Sequence, residues 1–309
     1  MFSILFPGQG SQNIGMAKEL FDNFNYVKEY FLNADELLNK NLSKIIFDGP
    51  KNDLDQTENT QPAIFLVSYS FFKVIEKETE FRVKDAKYFA GHSLGEYSAL
   101  CCAGALSFDQ TINLLKRRGT AMQNALPNGE GGMLAILGQT IDNINTILKE
   151  NEKKFICYIA NDNSNGQIVI SGKKINLELL GETLFKKNIK FVKLPVSAPF
   201  HCPLMKNATD EMKNLIIETE FNDPIVNIIS NVTANPLSRS NDIKKFLIEQ
   251  IENPVRWRES INYMIRSGIN RFIEIGPGKV LSGLVKRIDR NVKLNQVNNL
   301  TDIKNLIND

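Results

Sequence analysis

Apolar positions fall into two patterns along this chain: short runs of strand length, and longer stretches in which apolar residues recur at helical spacing. Ser3 to Phe6 reads as a strand, a helix follows from about Gly15, Ala63 to Ile75 reads as a long apolar helix, and Tyr88 to Gly91 reads as another strand. Near the C-terminus, Arg271 to Ile275 reads as a strand that Gly276-Pro277-Gly278 stops, and Val280 to Ile288 resumes a helical period. Strands alternating with helices predict an α/β protein whose mostly parallel sheet draws on both ends of the chain.

Between Gly131 and Val196 the order changes. MLAIL predicts a strand, a helix starts at Thr140, FICYIA predicts a strand, NDNSNG a turn, QIVIS a strand, a helix starts at Lys174, and FVKLPV closes with a strand. This is βαββαβ, the order of a ferredoxin-like unit. The expected organisation is a core domain of residues 1–128 and 197–309, interrupted by a ferredoxin-like subdomain at 129–196.

Composition narrows the function classes. With 309 residues, 42% hydrophobic and 23% charged, the chain has ordinary globular usage, which gives no support to disorder, collagen or coiled coil. Lys+Arg number 37 and Asp+Glu 35, so there is no basic excess of the kind nucleic-acid binders carry. The longest apolar run, Pro62 to Phe72, contains two serines and is well short of the roughly 20 residues of a membrane span. Cys101, Cys102, Cys157 and Cys202 form no CxxC pair, which suits neither a metal site nor a disulfide scaffold and fits a reducing cytosol. Met1 is followed directly by strand-like Phe2 to Phe6, not by a secretory signal, so a mature cytoplasmic protein is expected, with an organellar address left open.

Gly91-His92-Ser93-Leu94-Gly95 has the form G-x-S-x-G between a strand and a helix. This is the context of a nucleophile elbow, in which glycines permit a tight turn and a serine hydroxyl projects at a helix N-terminus. A serine hydroxyl needs a base, and the chain has two histidines. Adjacent residues on a sharp elbow point in different directions, so His92 packs beside the turn. His201, in the Pro-stiffened segment Val196 to Pro203, is then the expected base; its alternative role is to cap a helix starting near Pro203. Asp109, Asp142 and Asp162 are available to orient the imidazole, but none has a context that marks it, and a backbone carbonyl would serve equally.

Phe6 to Gln12, FPGQGSQ, lacks the spacing and the Lys-Ser/Thr ending of nucleotide loops. It reads as a Gly-rich turn aiming a backbone N–H at the elbow, which with the N–H of Leu94 would form an oxyanion hole. Ser107-x-x-Gln110 predicts a capping box, and along the following helix Arg118 falls on the apolar side with Leu114, Leu115 and Met122, while Arg117 faces water. An inward guanidinium needs an anion, either an internal carboxylate or a ligand that carries one.

These residues resemble the malonyl-CoA:acyl carrier protein transacylases of type II fatty acid synthesis. The resemblance rests on FPGQGSQ, GHSLGEYSAL from Gly91, RRGTAMQNA from Arg117, FHCPLM from Phe200, NPVRW from Asn253 and IGPGKVL from Ile275, in family order across nearly the whole chain. It implies an α/β-hydrolase-like core with an inserted ferredoxin-like subdomain. It implies that Ser93 is acylated with His201 as general base, that Gln9 and Leu94 form the oxyanion hole, and that Arg118 binds the malonyl carboxylate. It further implies that the main-chain carbonyl of Gln250 orients the imidazole, and that Phe200 favours malonyl over methylmalonyl. Ala198-Pro199 departs from the commonest residues there, which leaves side specificity open.

The implied reaction moves malonyl from malonyl-CoA to the phosphopantetheine thiol of acyl carrier protein through a serine ester, in a monomer, with no metal and no cofactor beyond the CoA thioester substrate. An acidic carrier protein would dock on a basic cluster, either Lys186, Lys187 and Lys190 or Lys286, Arg287 and Arg290. The competing readings are a serine esterase or thioesterase sharing the elbow, and a carrier-protein scaffold without catalysis.

Overall fold

Four of the five residues of Phe2–Phe6 (β1) are buried in succession, the mark of a strand covered on both faces, and β1 lies in the middle of the larger of two sheets. The computed structural model describes residues 1–307. After Tyr88–Gly91 (β2) the chain forms a second sheet from Gly131–Leu137 (β3), Cys157–Ser164 (β4), Gln167–Lys173 (β5) and Phe191–Lys193 (β6). It then returns to the first sheet with Asn227–Ile229 (β7), Pro236–Leu237 (β8), Arg271–Ile275 (β9) and Lys293–Val297 (β10).

The first sheet has the order β10-β9-β1-β2-β7-β8, parallel throughout except for the antiparallel edge pair β7–β8. The turns that follow β1, β2, β7 and β9 therefore gather along one edge, the carboxyl edge where open α/β sheets bind ligands. The second sheet has the order β4-β5-β3-β6 and every pair in it is antiparallel. Its helices Ile141–Glu150 and Lys174–Lys186 close over a separate apolar cluster that includes Ile136, Ile144, Ile168 and Leu184. The molecule is thus a mixed α/β protein with a mostly parallel sheet and a distinct antiparallel one.

β4 departs from the sequence reading, which ended a strand at Ala160 and assigned a turn to NDNSNG. The strand continues to Ser164 and only Asn165 and Gly166 turn. The polar stretch remains a strand because residues beyond it in the chain pair with its backbone and with the Asp162 carboxylate. The N–H of Asp162 donates to Val255 O at 2.9 Å, the N–H of Val255 donates to Ala160 O at 2.8 Å, and Arg258 donates Nη2 to the buried Asp162 carboxylate at 2.7 Å. These bonds also fasten the second sheet to the first. Other bounds shift as well. The helix expected from about Gly15 begins at Lys18, after Ala17 in a left-handed conformation, and the apolar helix expected at Ala63 to Ile75 spans Thr57–Glu78.

The elbow is a steric solution. A Cβ on Gly91 would lie 1.9 Å from the carbonyl of Gly95, and a Cβ on Gly95 would lie 2.3 Å from Phe6 O. Helix Leu94–Cys102 therefore starts against the end of β1 with no side chain between the backbones. Gly104, with φ +76°, has nothing near its missing Cβ and needs glycine only for its dihedral. Gly104→Ala is expected to cost about 1 kcal/mol and Gly95→Ala about 3 kcal/mol or more. Urea denaturation of both variants checks this, and equal losses would refute the packing argument.

Candidate active site

Ser93 sits at φ 54°, ψ −109°, a strained conformation for a residue with a side chain. Asn231, beyond the end of β7, holds it there: its Oδ1 accepts from the N–H of Ser93 at 2.7 Å, and its Nδ2 donates to Gly91 O at 2.7 Å. The two bonds clamp both sides of the elbow, and the serine hydroxyl is left facing the cleft between the two sheets.

His201 reaches the serine from the other side of that cleft. Its segment is tied to the second sheet by Ser171 Oγ on β5, which donates to Phe200 O at 2.6 Å, and His201 itself adopts φ 59°. Ser93 Oγ and His201 Nε2 are 2.8 Å apart, and His201 Nδ1 is 2.8 Å from Gln250 O. A carbonyl only accepts, so Nδ1 carries the proton and Nε2 presents a lone pair to the hydroxyl. Burial, reinforced by the nearby Arg118 charge, lowers the His201 pKa to about 3, so the ring is neutral at physiological pH. His201 does not cap the helix Lys206–Glu218. His92 packs beside the turn as expected, its Nε2 2.8 Å from Asn163 Oδ1 and its ring 5.5 Å from that of Trp257.

None of the three aspartates considered for orienting the histidine contacts it. Asp162 is clamped by Arg258, Asp109 accepts from Asn33 at the surface, and Asp142 is exposed. The main-chain oxygen of Gln250 occupies that position instead.

Arg118 lies on helix Phe108–Asn124, whose Ser107/Gln110 capping box is present, and it is only 1% exposed, whereas Arg117 faces solvent. Its bonds go to neutral oxygens: Nη1 to Gln61 Oε1 at 2.7 Å, and Nη2 to Gln250 Oε1 at 2.8 Å and to Ser93 Oγ at 3.1 Å. Its Nε has no hydrogen-bond partner among the described residues, and its Cζ lies 5.5 Å from the centre of the Tyr97 ring. Burial lowers its pKa, yet a guanidinium starts so high that it stays charged. Glu96 is joined to it through Gln250 rather than directly: Gln250 Nε2 donates to Glu96 Oε2 at 2.6 Å. Burial raises the Glu96 pKa to about 7, against the opposing bonds from Gln250 and from the Asn231 N–H.

Gln9, Ser93, Leu94, Arg118, Phe200 and His201 all border one cavity of about 100 Å³, with Gln250 behind it. A more open groove of about 530 Å³, lined by residues such as Gln56, Thr120, Gln123 and Ser197, shares Gln9 and Val196 with this cavity. The arrangement can place a neutral base on an alcohol and a cation beside the same alcohol. Both basic clusters considered for docking are exposed on the surface, Lys186, Lys187 and Lys190 at the end of helix Lys174–Lys186 and Lys286, Arg287 and Arg290 around the end of Val280–Ile288.

Sequence reasoning did not single out Glu96, Gln61, Asn163 or Asn231. Glu96 carried a usable signal, because it is the one charged residue in a helix that is otherwise mostly apolar, whereas Gln61 closes the polar run Thr57 to Gln61 and carried none. Asn163 and Asn231 carried none, lying in Asn-rich segments that look like solvated turns.

The acyl transferase domain family matches residues 4–302. The malonyl CoA-acyl carrier protein transacylase of Bacillus subtilis is 45% identical over 293 residues, 94% of this chain and 91% of that protein. The Escherichia coli K12 protein of the same name is 38% identical, covering 93% and 92%. Among solved structures, the acyl-carrier-protein-S-malonyltransferase of Bartonella henselae superposes with a TM-score of 0.96 at 42% identity, over 99% of this chain and 98% of that one. The malonyl-transacylase in a complex with a type II polyketide acyl-carrier protein superposes at 0.95 with 36% identity, covering 99% of both. With family-wide similarity over almost its full length and a serine, a histidine and an arginine meeting in one cleft, this chain belongs to the acyl transferase family as a malonyl CoA-acyl carrier protein transacylase.

Proposed function

We propose that this protein transfers malonyl from malonyl-CoA to the phosphopantetheine thiol of acyl carrier protein, with Ser93 as the acylated residue and His201 as its base, which supplies malonyl groups for fatty acid synthesis. Ser93 Oγ attacks the thioester carbonyl while its proton moves to His201 Nε2. The oxyanion forms beside the N–H groups of Gln9 and Leu94, the C–S bond breaks, and the imidazolium returns the proton to the departing thiolate. The carrier thiol then reverses these steps at the serine ester. No metal or redox cofactor is needed for acyl exchange of this kind, and the reaction proceeds in a monomer in the cytoplasm.

The observation that carries this reading is Arg118 Nη2 at 3.1 Å from Ser93 Oγ. A malonyl group esterified to that oxygen can fold its free carboxylate onto the guanidinium fork. A neutral-ester hydrolase has no use for a buried cation there, and a scaffold has no use for a histidine held 2.8 Å from a serine. Phe200 borders the same cavity and would limit branching at the malonyl methylene. We assign the mostly parallel sheet to an α/β-hydrolase-like core of residues 1–128 and 197–309, and the β4-β5-β3-β6 sheet to a ferredoxin-like insert at 129–196; the insert's strand order supports this.

Labelled malonyl-CoA should acylate the wild type and leave Ser93→Ala unlabelled, with the label retained until a thiol is added. Release as free malonate without thiol would identify a hydrolase instead, and an unlabelled wild type a scaffold. Arg118→Ala should lower malonyl acylation roughly 100-fold, as expected for removing one partner of a buried charge pair, while acetyl-CoA becomes a competitive donor; full malonyl transfer with acetyl-CoA still rejected would overturn the assignment.

The His201 base works only when neutral, and a pKa lowered to about 3 keeps it neutral well below pH 6. Acylation rate against pH should therefore lack a histidine limb between pH 6 and 7. A limb in that window that persists in Glu96→Gln would show His201 titrating as an ordinary histidine.

A further inference from the structure

We infer that Glu96 is a positioning residue that selects carboxylate-bearing acyl groups by fixing, through the side-chain amide of Gln250, the guanidinium fork of Arg118. The inference rests on the malonyl-transfer reading above and adds a residue to it.

Gln250 acts at two places in the site. Its main-chain oxygen accepts from His201 Nδ1, and its side chain spans the space between Glu96 and Arg118. A primary amide is asymmetric: its oxygen only accepts and its nitrogen only donates. A carboxylate only accepts and a guanidinium only donates. With Glu96 Oε2 at 2.6 Å from Nε2 and Arg118 Nη2 at 2.8 Å from Oε1, one amide orientation satisfies both ends. The flipped orientation would set oxygen against oxygen and N–H against N–H. Nε2 also donates to Ser93 O at 3.1 Å, which ties the amide to the elbow itself.

Glu96 is well anchored for this task. It lies in the first turn of the helix capped by Ser93, is only 2% exposed, and its Oε2 also accepts from the N–H of Asn231, the residue that clamps the elbow. On the far side, Gln61 Oε1 holds Nη1 at 2.7 Å. The fork is thus gripped by one glutamine oxygen at each terminal nitrogen. Of the two grips, the Gln250 one depends on the oxygen acceptor that Glu96 presents to Nε2. Without that acceptor the Gln250 amide keeps only Ser93 O as a partner for Nε2 and can rotate, and the guanidinium loses its fixed angle to Ser93 Oγ. An acyl group with a free carboxylate depends on that angle; an acetyl group does not.

The test compares rates of Ser93 acylation by labelled malonyl-CoA and acetyl-CoA in the full-length enzyme, for the wild type, Glu96→Ala, Gln250→Met, the double variant and Glu96→Gln. Gln250→Met keeps the main-chain carbonyl that serves His201. Each of the first two single variants should lower the malonyl-to-acetyl ratio roughly tenfold, the scale of one buried hydrogen bond. The double variant should lower it by the same roughly tenfold, not a hundredfold, because both act through one bond. Glu96→Gln keeps an oxygen acceptor and should hold the ratio within about threefold.

Equal slowing of both donors by Glu96→Ala, multiplied effects in the double variant, or a Glu96→Gln ratio as low as that of Glu96→Ala would each overturn the inference. If Glu96→Ala does not fold, Gln250→Met against Glu96→Gln decides: ratio lost in the first and kept in the second supports it, and any other pattern refutes it. A wild type that malonyl-CoA fails to label would instead sink the malonyl-transfer reading, which separates the two failures.

Discussion

Where β1 ends, backbone packs directly on backbone. Gly91 and Gly95 leave no room for a methyl group between the elbow, the first turn of its helix and the carbonyl of Phe6. That contact holds Ser93 at a dihedral pair it would not choose alone, and Asn231 locks the turn from the side of β7. The contacts of His201 at 2.8 Å and of Arg118 at 3.1 Å both end on the serine oxygen whose position this close approach sets. The second sheet then needs only to deliver one histidine to a fixed point, which it does through the Ser171 bond to the Phe200 carbonyl and its own attachment to the core at Val255 and Arg258.

The electrostatics follow from burying three ionisable groups within one small volume. Burial pushes His201 down and Glu96 up, and it lowers Arg118 too, but from a starting value high enough to leave the charge in place. The Arg118 charge further disfavours an imidazolium at His201. The outcome is a neutral base beside a permanent cation, which serves an anionic acyl group: the cation meets the carboxylate and the base remains free to take the serine proton. Gln250 couples the two halves, since its peptide oxygen orients the histidine and its amide faces the arginine.

Much of this is legible in the sequence. The apolar alternation located β1, β2 and β9, the βαββαβ order matched the four strands and two helices of the second sheet, and the Ser107/Gln110 box with its helical period turned Arg118 inward and Arg117 outward. The reading was poorer where neighbours supply what the local residues lack. β4 runs through Asn161, Asp162 and Asn163 because Val255 and Arg258 satisfy it from another part of the chain. β10, KLNQV, is a half-exposed edge strand without an apolar run or alternation, and β7 and β8 are only three and two residues long, too short to mark a strand.

The sequence by itself determined the local geometry: a strand, a glycine-bounded elbow with an outward serine, and a helix with its arginine on the buried side. Those depend on steric and periodic rules that act over a few residues. Only the tertiary structure decided which distant groups meet there. Ser93 and His201 are 108 positions apart, and Arg118 and Gln250 132. The acceptor for His201 is a peptide carbonyl, a group every residue carries, so no side chain around Gln250 announces it and only the family resemblance names it. The link from Glu96 through the Gln250 amide to Arg118 is still less visible, because it depends on the orientation of one amide, which the packing of three helices decides.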